Sequence, residues 1–393
     1  MEISLSGDIA RVGPSATMAV TQKARDLQAA GRDVLTLSMG ELDFETPAPV
    51  KEAAIAAIAA GETRYTAVDG TPALKAAITE KYRRDHDFLL SPEEIVATTG
   101  GKFLIYAALR ATLEPGDEVI IPSPYWVSYP GIVRMCGAVP VILATQAGQG
   151  FLPDPQTLKA TMTPKTRWIL LNFPNNPSGA TLPLEHAAAL AEVIEAHPRA
   201  LVLSDDIYEL IRFDASPPGP LFAKMKGMRE RTLTVNGVSK SHAMTGWRLG
   251  FGAGPAPLMA AIRRVAGQTT SNPCSISQAA AVAALGMEPS FLTDWRTALR
   301  TRRDLVVRTL NRIEGISCLS PSGAFYVFPD INGVVKRKGL ADDTAFCTAL
   351  LDEEALALVP GSAFGAPGFV RLSFAAADSV LEEAMGRLKR FCA

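Results

Sequence analysis

Short β-rich runs alternate with longer helical stretches through the middle of the chain, and this alternation limits the possible folds more than any other feature. Helical stretches such as residues 184–196 and 257–267 lie between several of the runs. Strand and helix signals in alternation predict βαβ units and a mostly parallel sheet covered by helices, an α/β/α arrangement. The six predicted strands are residues 117–122, 139–143, 168–173, 200–204, 232–236 and 249–253.

The pattern changes near residues 287–290. Residues 289–313 predict one long amphipathic helix, followed by strands at 323–328 and 370–374 and helices at 342–355 and 379–391. This order is typical of an α+β unit. A helix at residues 15–30 precedes the sheet and is expected to pack on that unit. We therefore predict a large domain over residues 46–288 and a small domain formed by residues 1–45 and 289–393.

Composition excludes several classes of protein. The 393 residues are 48% hydrophobic and 20% charged, with a net charge of −1, which indicates a globular enzyme and no nucleic-acid or membrane partner. The five cysteines are scattered and form no CxxC motif, so we expect no disulfide framework and no zinc site, and the cytoplasm as compartment. The N-terminus does not resemble a secretory signal, and no apolar run is long enough to span a bilayer.

Lys240 lies in a turn of small residues directly after a predicted strand, and Arg248 follows eight residues further on. A lysine amine that binds an aldehyde, next to a fixed cation that binds a phosphate, suits pyridoxal phosphate. The alternative is a surface Ser239–Lys240 turn followed by an ordinary strand.

A second loop adds to the predicted phosphate site. Residues 98–102, with Gly100 and Gly101, end a strand and open a helix over residues 103–113. Glycines allow close backbone approach to a phosphate, and a helix N-terminus offers free N–H groups. Together with Arg248 the loop predicts a phosphate cup. The spacing fits neither a Walker loop nor a dinucleotide fingerprint.

Two polar motifs also follow predicted strands, at residues 172–179 (NFPNNPSG) and 204–208 (SDDIY). With the Lys240 motif they resemble, in the same order, the motifs of the class I pyridoxal-phosphate aminotransferases of fold type I. The resemblance is nearest to the bacterial branch of aspartate and aspartate/prephenate aminotransferases, and it covers nearly the whole chain. It implies a pyridoxal 5′-phosphate cofactor, a homodimer and transamination, with Lys240 as the catalytic residue.

The resemblance also implies roles around the cofactor. Asn176 and Tyr208 are expected to bond its phenolic oxygen, Asp205 to pair with its ring nitrogen, and Trp126 to stack on its ring. The peptide bonds before Pro124 and Pro177 are expected to be cis. The acidic pair that includes Asp206 predicts no metal site. The other cofactor-binding positions implied are Gly100, Gly101, Lys102, Ser239, Arg248 and, reaching from the neighbouring subunit, Tyr65.

On the substrate side, the resemblance implies that Arg371 binds the α-carboxylate, with the backbone N–H of Gly40 beside it. Trp126 and Asn176 are expected to contact substrate as well. A second carboxylate would be held by Lys102, Ser15 and Thr17. Lys102 is alternatively a second cation for the phosphate.

These residues lead us to expect amino-group transfer between a dicarboxylic L-amino acid, aspartate or glutamate, and a 2-oxo acid. The acceptors considered are 2-oxoglutarate, oxaloacetate and, as a further candidate, prephenate. Three alternatives stay open: transamination of aromatic or neutral amino acids, a C–S lyase that releases pyruvate and ammonia, and a non-catalytic regulator.

Overall fold

A computed structural model describes residues 6–13, 16–214 and 218–393 of the chain. The strands of this part are β1 (Leu35–Thr36), β2 (Ile95–Thr98), β3 (Glu118–Ser123), β4 (Val139–Ala144), β5 (Thr166–Asn172), β6 (Leu201–Asp205), β7 (Thr232–Gly237), β8 (Gly250–Ala253), β9 (Tyr326–Val327), β10 (Leu356–Ala357), β11 (Val359–Pro360) and β12 (Val370–Ser373). The helices are α1 (Gly7–Ala10), α2 (Ala16–Ala29), α3 (Ala48–Ala59), α4 (Pro72–His86), α5 (Gly101–Thr112), α6 (Tyr129–Met135), α7 (Pro155–Thr161), α8 (Leu184–Glu195), α9 (Ala256–Gly267), α10 (Ser275–Leu285), α11 (Thr293–Leu310), α12 (Asn332–Arg337), α13 (Asp343–Glu354) and α14 (Asp378–Cys392).

The central sheet has seven strands in the order β2-β8-β7-β6-β5-β3-β4. The six predicted strands are present, each within two residues of its predicted ends. The pairs from β4 through β7 are parallel, whereas β8 runs antiparallel to both of its neighbours. No α-helix lies between β7 and β8, so the chain returns beside β7 without the crossover that a parallel pair requires. The mostly parallel α/β fold is confirmed, with this one exception in strand direction.

Alternate residues of the central strands enter two different cores. Val119, Trp168 and Leu203 pack with α5, α6 and α9 on one face of the sheet. Ile169 and Val202, their neighbours in sequence, pack with α7 and α8 on the other face. Because successive strand side chains point to opposite faces, continuous apolar strands need helices on both sides. The result is the predicted α/β/α layering.

The C-terminal part forms a separate core around the antiparallel sheet β11-β12-β9. Strand β1 pairs in parallel with β10, so the segment before the large sheet joins this part of the molecule. The predicted single helix over residues 289–313 is wrong at both ends. A 3-10 turn occupies Pro289–Leu292, and α11 ends at Leu310. The Asn311 side chain bonds both the N–H and the carbonyl of Cys318, which turns the chain out of the helix.

The division into domains at residues 45 and 289 stays a prediction, although the separate cores are in keeping with it. Among the described residues no helix is both long enough and apolar enough to cross a bilayer. None of the five cysteines, all of which the structure describes, forms a disulfide, and Cys274 alone among them is exposed.

Candidate active site

A cavity of about 460 Å³ opens at the carboxyl ends of the central strands, where ligands bind in open α/β sheets. Strands β5, β6 and β7 end there, and the turn after β7 carries Lys240. Eleven of the residues predicted from the sequence line this cavity: Gly40, Gly101, Lys102, Trp126, Asn176, Asp205, Tyr208, Ser239, Lys240, Arg248 and Arg371.

Asp205 is the last residue of β6 and is buried. The hydroxyl of Tyr129 donates to its Oδ2 at 2.7 Å, and the side chain of Asn172 donates to its carbonyl at 2.9 Å. Burial raises the pKa of Asp205 to about 6, although the bond from Tyr129 and the charge of Lys240 act in the opposite direction. The cavity therefore contains a fixed carboxyl group with no cation paired to it closely enough to hold it fully ionised.

Lys240 faces this carboxyl group across the cavity. Its Nζ donates to the carbonyl of Gly40 at 2.5 Å and lies 6.0 Å from the centre of the Tyr208 ring. Burial, together with the charges of Arg371 and Arg248, lowers the pKa of Lys240 to about 8, against the attraction of Glu41 and Asp205. A substantial fraction of this amine is therefore neutral near physiological pH, as a nucleophile or a general base requires.

The glycine loop packs against Arg248. Gly100 has a φ of +89°, and a Cβ at this position would lie 2.5 Å from Nη2 of Arg248. Arg248 itself has a φ of +54° and donates from Nη1 to the carbonyl of Thr245 at 2.9 Å. Helix α5 begins at Gly101, so its free N–H groups and the guanidinium line the same end of the cavity. This end suits a bound phosphate.

The loop after β5 is held by asparagine side chains. Asn172 Oδ1 accepts from the Asn176 N–H at 2.9 Å, and Asn175 donates from Nδ2 to the carbonyl of Pro124 at 3.2 Å. The peptide bonds before Pro124 and Pro177 are cis, as predicted, and so is the bond before Pro174, which was not predicted.

Arg371, on β12, is 3% exposed and lies between the rings of Tyr326 and Phe364, at 4.7 and 5.0 Å. Its Nη1 donates to Asn176 Oδ1 at 2.9 Å and its Nη2 to the carbonyl of Ser38 at 2.5 Å. Its buried Nε has no hydrogen-bond partner among the described residues. A guanidinium with buried donors and no carboxylate partner is suited to binding an anion that enters the cavity.

The profile of the family described as aminotransferase class I and II matches residues 32–388. The chain belongs to the class I and II aminotransferases. An aspartate/prephenate aminotransferase of Cereibacter sphaeroides is 49% identical over 99% of this chain and 98% of that protein.

Two solved aminotransferase structures show the same fold. The aspartate aminotransferase of Rhizobium meliloti superposes with a TM-score of 0.95 at 44% identity, covering 100% of this chain and 99% of that one. The aspartate aminotransferase of Thermus thermophilus with maleate gives 0.93 at 40% identity, covering 99% and 100%. The predicted family, the fold type and the aminotransferase class of enzyme are thereby confirmed.

Of the four other predicted site residues of this aminotransferase, two do not line the cavity and two are not fully described by the structure. Gly100 lies just behind it, against Arg248. Tyr65 is 91% exposed and lies beside a separate surface depression formed with Arg64 and Ser275. Ser15 lies outside the described residues, and the structure does not describe the side chain of Thr17.

Three residues of the aminotransferase site were missed in the sequence: Glu41 and Tyr326 line the cavity, and Tyr129 bonds Asp205. Tyr129 follows Trp126 by three residues, and this spacing on a helix or turn would have placed both on one side. Glu41 follows Gly40 directly, and its Oε1 accepts from Thr245 Oγ1 at 2.6 Å. Tyr326 lies far from every motif in sequence, and no local signal identifies it.

Proposed function

We propose that this chain is a pyridoxal-phosphate-dependent aminotransferase that moves an amino group between a dicarboxylic L-amino acid and a 2-oxo acid. One observation carries the proposal: the amine of Lys240, the carboxyl of Asp205 and the guanidinium of Arg371 open onto one cavity. The relatives named aspartate and aspartate/prephenate aminotransferases support the choice of aspartate or glutamate, with prephenate as a further acceptor.

The residues present fit pyridoxal phosphate. The cavity of about 460 Å³ lies within the range of small-molecule sites. A side chain at Gly100 would fill the space beside Arg248 where a phosphate would bind, and Asp205 offers a buried carboxyl to a protonated ring nitrogen. Asn176, Tyr208 and Trp126 would bond its phenolic oxygen and stack on its ring.

When bound, the cofactor draws electrons from the carbon that carries the substrate's amino group. Lys240 would bind the cofactor's aldehyde, and its amine would accept the proton from the substrate α-carbon. Its lowered pKa, about 8, leaves enough neutral amine for this step. Asp205 would pair with the protonated ring nitrogen, and the bond from the Tyr129 hydroxyl would help to stabilise its charge.

Arg371 would bind the substrate α-carboxylate through its buried donors, together with the N–H of Gly40. The segment that carries Gly40 is bonded to the lysine turn at two further points, Glu41 to Thr245 and Thr46 to the carbonyl of Ala243 at 2.7 Å. We propose that this segment and the predicted small domain close over the substrate and exclude water.

The second substrate carboxylate is assigned to Lys102, with Ser15 and Thr17 as predicted partners. Lys102 Nζ lies 4.9 Å from the centre of the Trp126 ring, and burial and Arg248 lower its pKa. A Lys102→Ala variant should lose about 10- to 100-fold in kcat/KM for aspartate, and far less for alanine or phenylalanine. An equal loss for all three substrates would assign Lys102 to the phosphate.

We propose that the active enzyme is a homodimer in which Tyr65 reaches the partner's phosphate, because this large side chain is almost fully exposed. The test mixes Lys240→Ala chains with Tyr65→Ala chains. If Tyr65 acts across the interface, each mixed dimer regains one intact site, and a random mixture recovers roughly a quarter of wild-type sites. No recovery would place Tyr65 and Lys240 in the same chain's site.

We also propose a reducing compartment, the cytoplasm, as the place of action. None of the five cysteines forms a disulfide in the part of the chain that the structure describes, and four of them are buried in cores. Burial raises the pKa of Cys318 to about 12, which keeps this thiol unreactive.

The experiment that tests the proposed chemistry is Lys240→Ala. Turnover should fall by about 10⁴-fold or more, since both covalent attachment and proton transfer depend on this amine. The visible absorbance of cofactor bound through the amine should disappear as well. A variant that keeps both would overturn the assignment.

A further inference from the structure

The hydroxyl groups of Tyr208 and Tyr326 lie 2.9 Å apart beside Lys240. Both side chains are buried and both line the cavity. Tyr208 follows β6 of the large sheet. Tyr326 lies on β9, which pairs with the strand of Arg371. The bond therefore connects the cofactor side of the cavity with the side that would bind the substrate carboxylate.

A phenol has one proton to donate, so the direction of this bond decides what Tyr208 offers to a ligand. Among the described residues, the hydroxyl of Tyr208 has no hydrogen-bond partner other than Tyr326. If Tyr208 donated to Tyr326, it would have no proton left for the cofactor. If Tyr326 donates, the proton of Tyr208 is free to point into the cavity.

We propose that Tyr326 is a positioning residue: its hydroxyl donates to the hydroxyl of Tyr208 and thereby commits the Tyr208 proton to the phenolic oxygen of the cofactor. The inference rests on the proposed function, since it deepens the role of Tyr208 at the same site.

The surroundings favour this direction. The guanidinium of Arg371 lies 4.7 Å from the centre of the Tyr326 ring, where a positive charge makes a phenol a better donor. Burial raises the pKa of both tyrosines and the charge of Arg371 opposes both rises, but Tyr208 is still raised well above its ordinary pKa. The better acid donates to the weaker one.

Gly40 leaves room for the Tyr326 hydroxyl because it has no side chain. A Cβ at residue 40 would lie only 2.6 Å from the Tyr326 hydroxyl oxygen, so any side chain there would displace it. The same residue accepts the bond from Lys240 Nζ. Position 40 therefore needs glycine for the hydroxyl pair as well as for access to its N–H.

Donation by Tyr326 polarises the Tyr208 hydroxyl and strengthens its bond to the phenolic oxygen. Without that donation the phenolic oxygen of the cofactor would keep more negative charge. It would then hold the nearby proton of the amine-bound cofactor more tightly. The pH midpoint of the visible band of the loaded protein should therefore rise. Asp205, Lys240, Glu41 and Arg371 also face the pair, and the substitution Tyr326→Phe leaves all four in place.

The experiment titrates the visible band of cofactor-loaded wild type, Tyr326→Phe and Tyr208→Phe. We expect the midpoint of Tyr326→Phe to rise by about 0.3–1 pH unit and that of Tyr208→Phe to rise further. Tyr106→Phe is the matched control, because Tyr106 packs against Phe103 and does not line the cavity. Its midpoint should equal that of the wild type.

A second variant and a binding measurement complete the test. Gly40→Ala should shift the midpoint in the same direction, and it carries the test if Tyr326→Phe does not take up cofactor. Succinate, an unreactive dicarboxylate, should bind Tyr326→Phe nearly as well as wild type, because the ring under Arg371 remains.

The outcomes separate the inference from the function on which it rests. A wild-type protein that shows no visible band with pyridoxal phosphate would remove the proposed function. If the band is present, wild-type midpoints in both Tyr326→Phe and Gly40→Ala would overturn the inference. Weak succinate binding with an unshifted midpoint would also overturn it, since Tyr326 would then act on the substrate alone.

Discussion

Two groups of ionisable side chains lie close to the end of β6. The cavity group consists of Lys240, Asp205 and Arg371. The second group, here named the α4 cluster, consists of Lys81, Arg84, Asp85 and His86 of helix α4 together with Glu209. Both groups are largely buried, but their charges are arranged differently.

In the α4 cluster every charge has a partner. Lys81 forms an ion pair with Glu209 and lies 3.2 Å from Asp85, which also binds Arg84 Nε at 2.7 Å. His86 lies 3.0 Å from the other carboxylate oxygen of Glu209. Burial opposes the charge of Glu209, but Lys81 and His86 outweigh it and lower its pKa below the ordinary value.

In the cavity group no close partner offsets the effect of burial on the pKa values. Burial brings the pKa of Asp205 up to about 6 and that of Lys240 down to about 8. Both therefore titrate close to physiological pH. Burial alone therefore does not identify the site. Buried charges with close partners keep their ordinary protonation state, whereas buried groups without close partners are available for chemistry.

The largest effect is expected where the α4 cluster is broken. Lys81→Met should lower the free energy of unfolding by about 3–5 kcal/mol, because it leaves buried carboxylates without their cation. Lys81→Met combined with Glu209→Gln should recover part of the loss. Urea unfolding measures both, with the exposed Lys51→Met as control, for which we expect little change. A small loss for Lys81→Met would show that the cluster is not a paired unit.

In the cavity, removing a buried ionisable group is expected to raise the free energy of unfolding rather than lower it. In the folded, cofactor-free protein the pKa of Asp205 lies above its unfolded value of 3.8, so the folded state binds more protons between pH 4 and 6 and loses stability as pH rises. Above pH 6, Asp205→Asn should therefore stabilise the cofactor-free protein by about 2–3 kcal/mol, and the gain should vanish below pH 4. Unfolding curves at pH 8 and pH 4 test this. Destabilisation at pH 8 would mean that Asp205 is paired after all.

The smallest effect concerns the side-chain donor to Asp205. Tyr129→Phe should lower the stability of the cofactor-free protein by about 1 kcal/mol at pH 8, where the carboxylate needs the bond, and by less at pH 4. It should also weaken the binding of pyridoxal phosphate. Equal losses at both pH values would instead indicate a packing role for the hydroxyl.

Much of this molecule was accessible from the sequence because the signals are local. Apolar runs bounded by turn residues gave the central strands, and motifs at strand ends gave Lys240, Asp205 and Asn176. Strand ends of a parallel sheet meet at one edge, so motifs that follow neighbouring strands lie close together there. The predicted motifs and the matched family agree on the same fold.

What could not be predicted depends on contacts between distant parts of the chain. Tyr326 reaches Tyr208 across 118 positions, and no periodicity marks it. The end of α11 depends on Asn311 bonding Cys318 beyond the helix. The antiparallel direction of β8 follows from the absence of a crossover helix, which the alternation pattern did not register.

One half-reaction tests the proposed transamination of a dicarboxylic amino acid most directly. The cofactor-loaded protein is mixed with L-aspartate, without a 2-oxo acid, and its visible spectrum and products are followed. We predict loss of the visible band with release of oxaloacetate, about one per site. Release of pyruvate and ammonia, or an unchanged spectrum with aspartate, glutamate, alanine and phenylalanine, would contradict it. A change with phenylalanine or alanine alone would keep the chemistry and remove the dicarboxylate assignment.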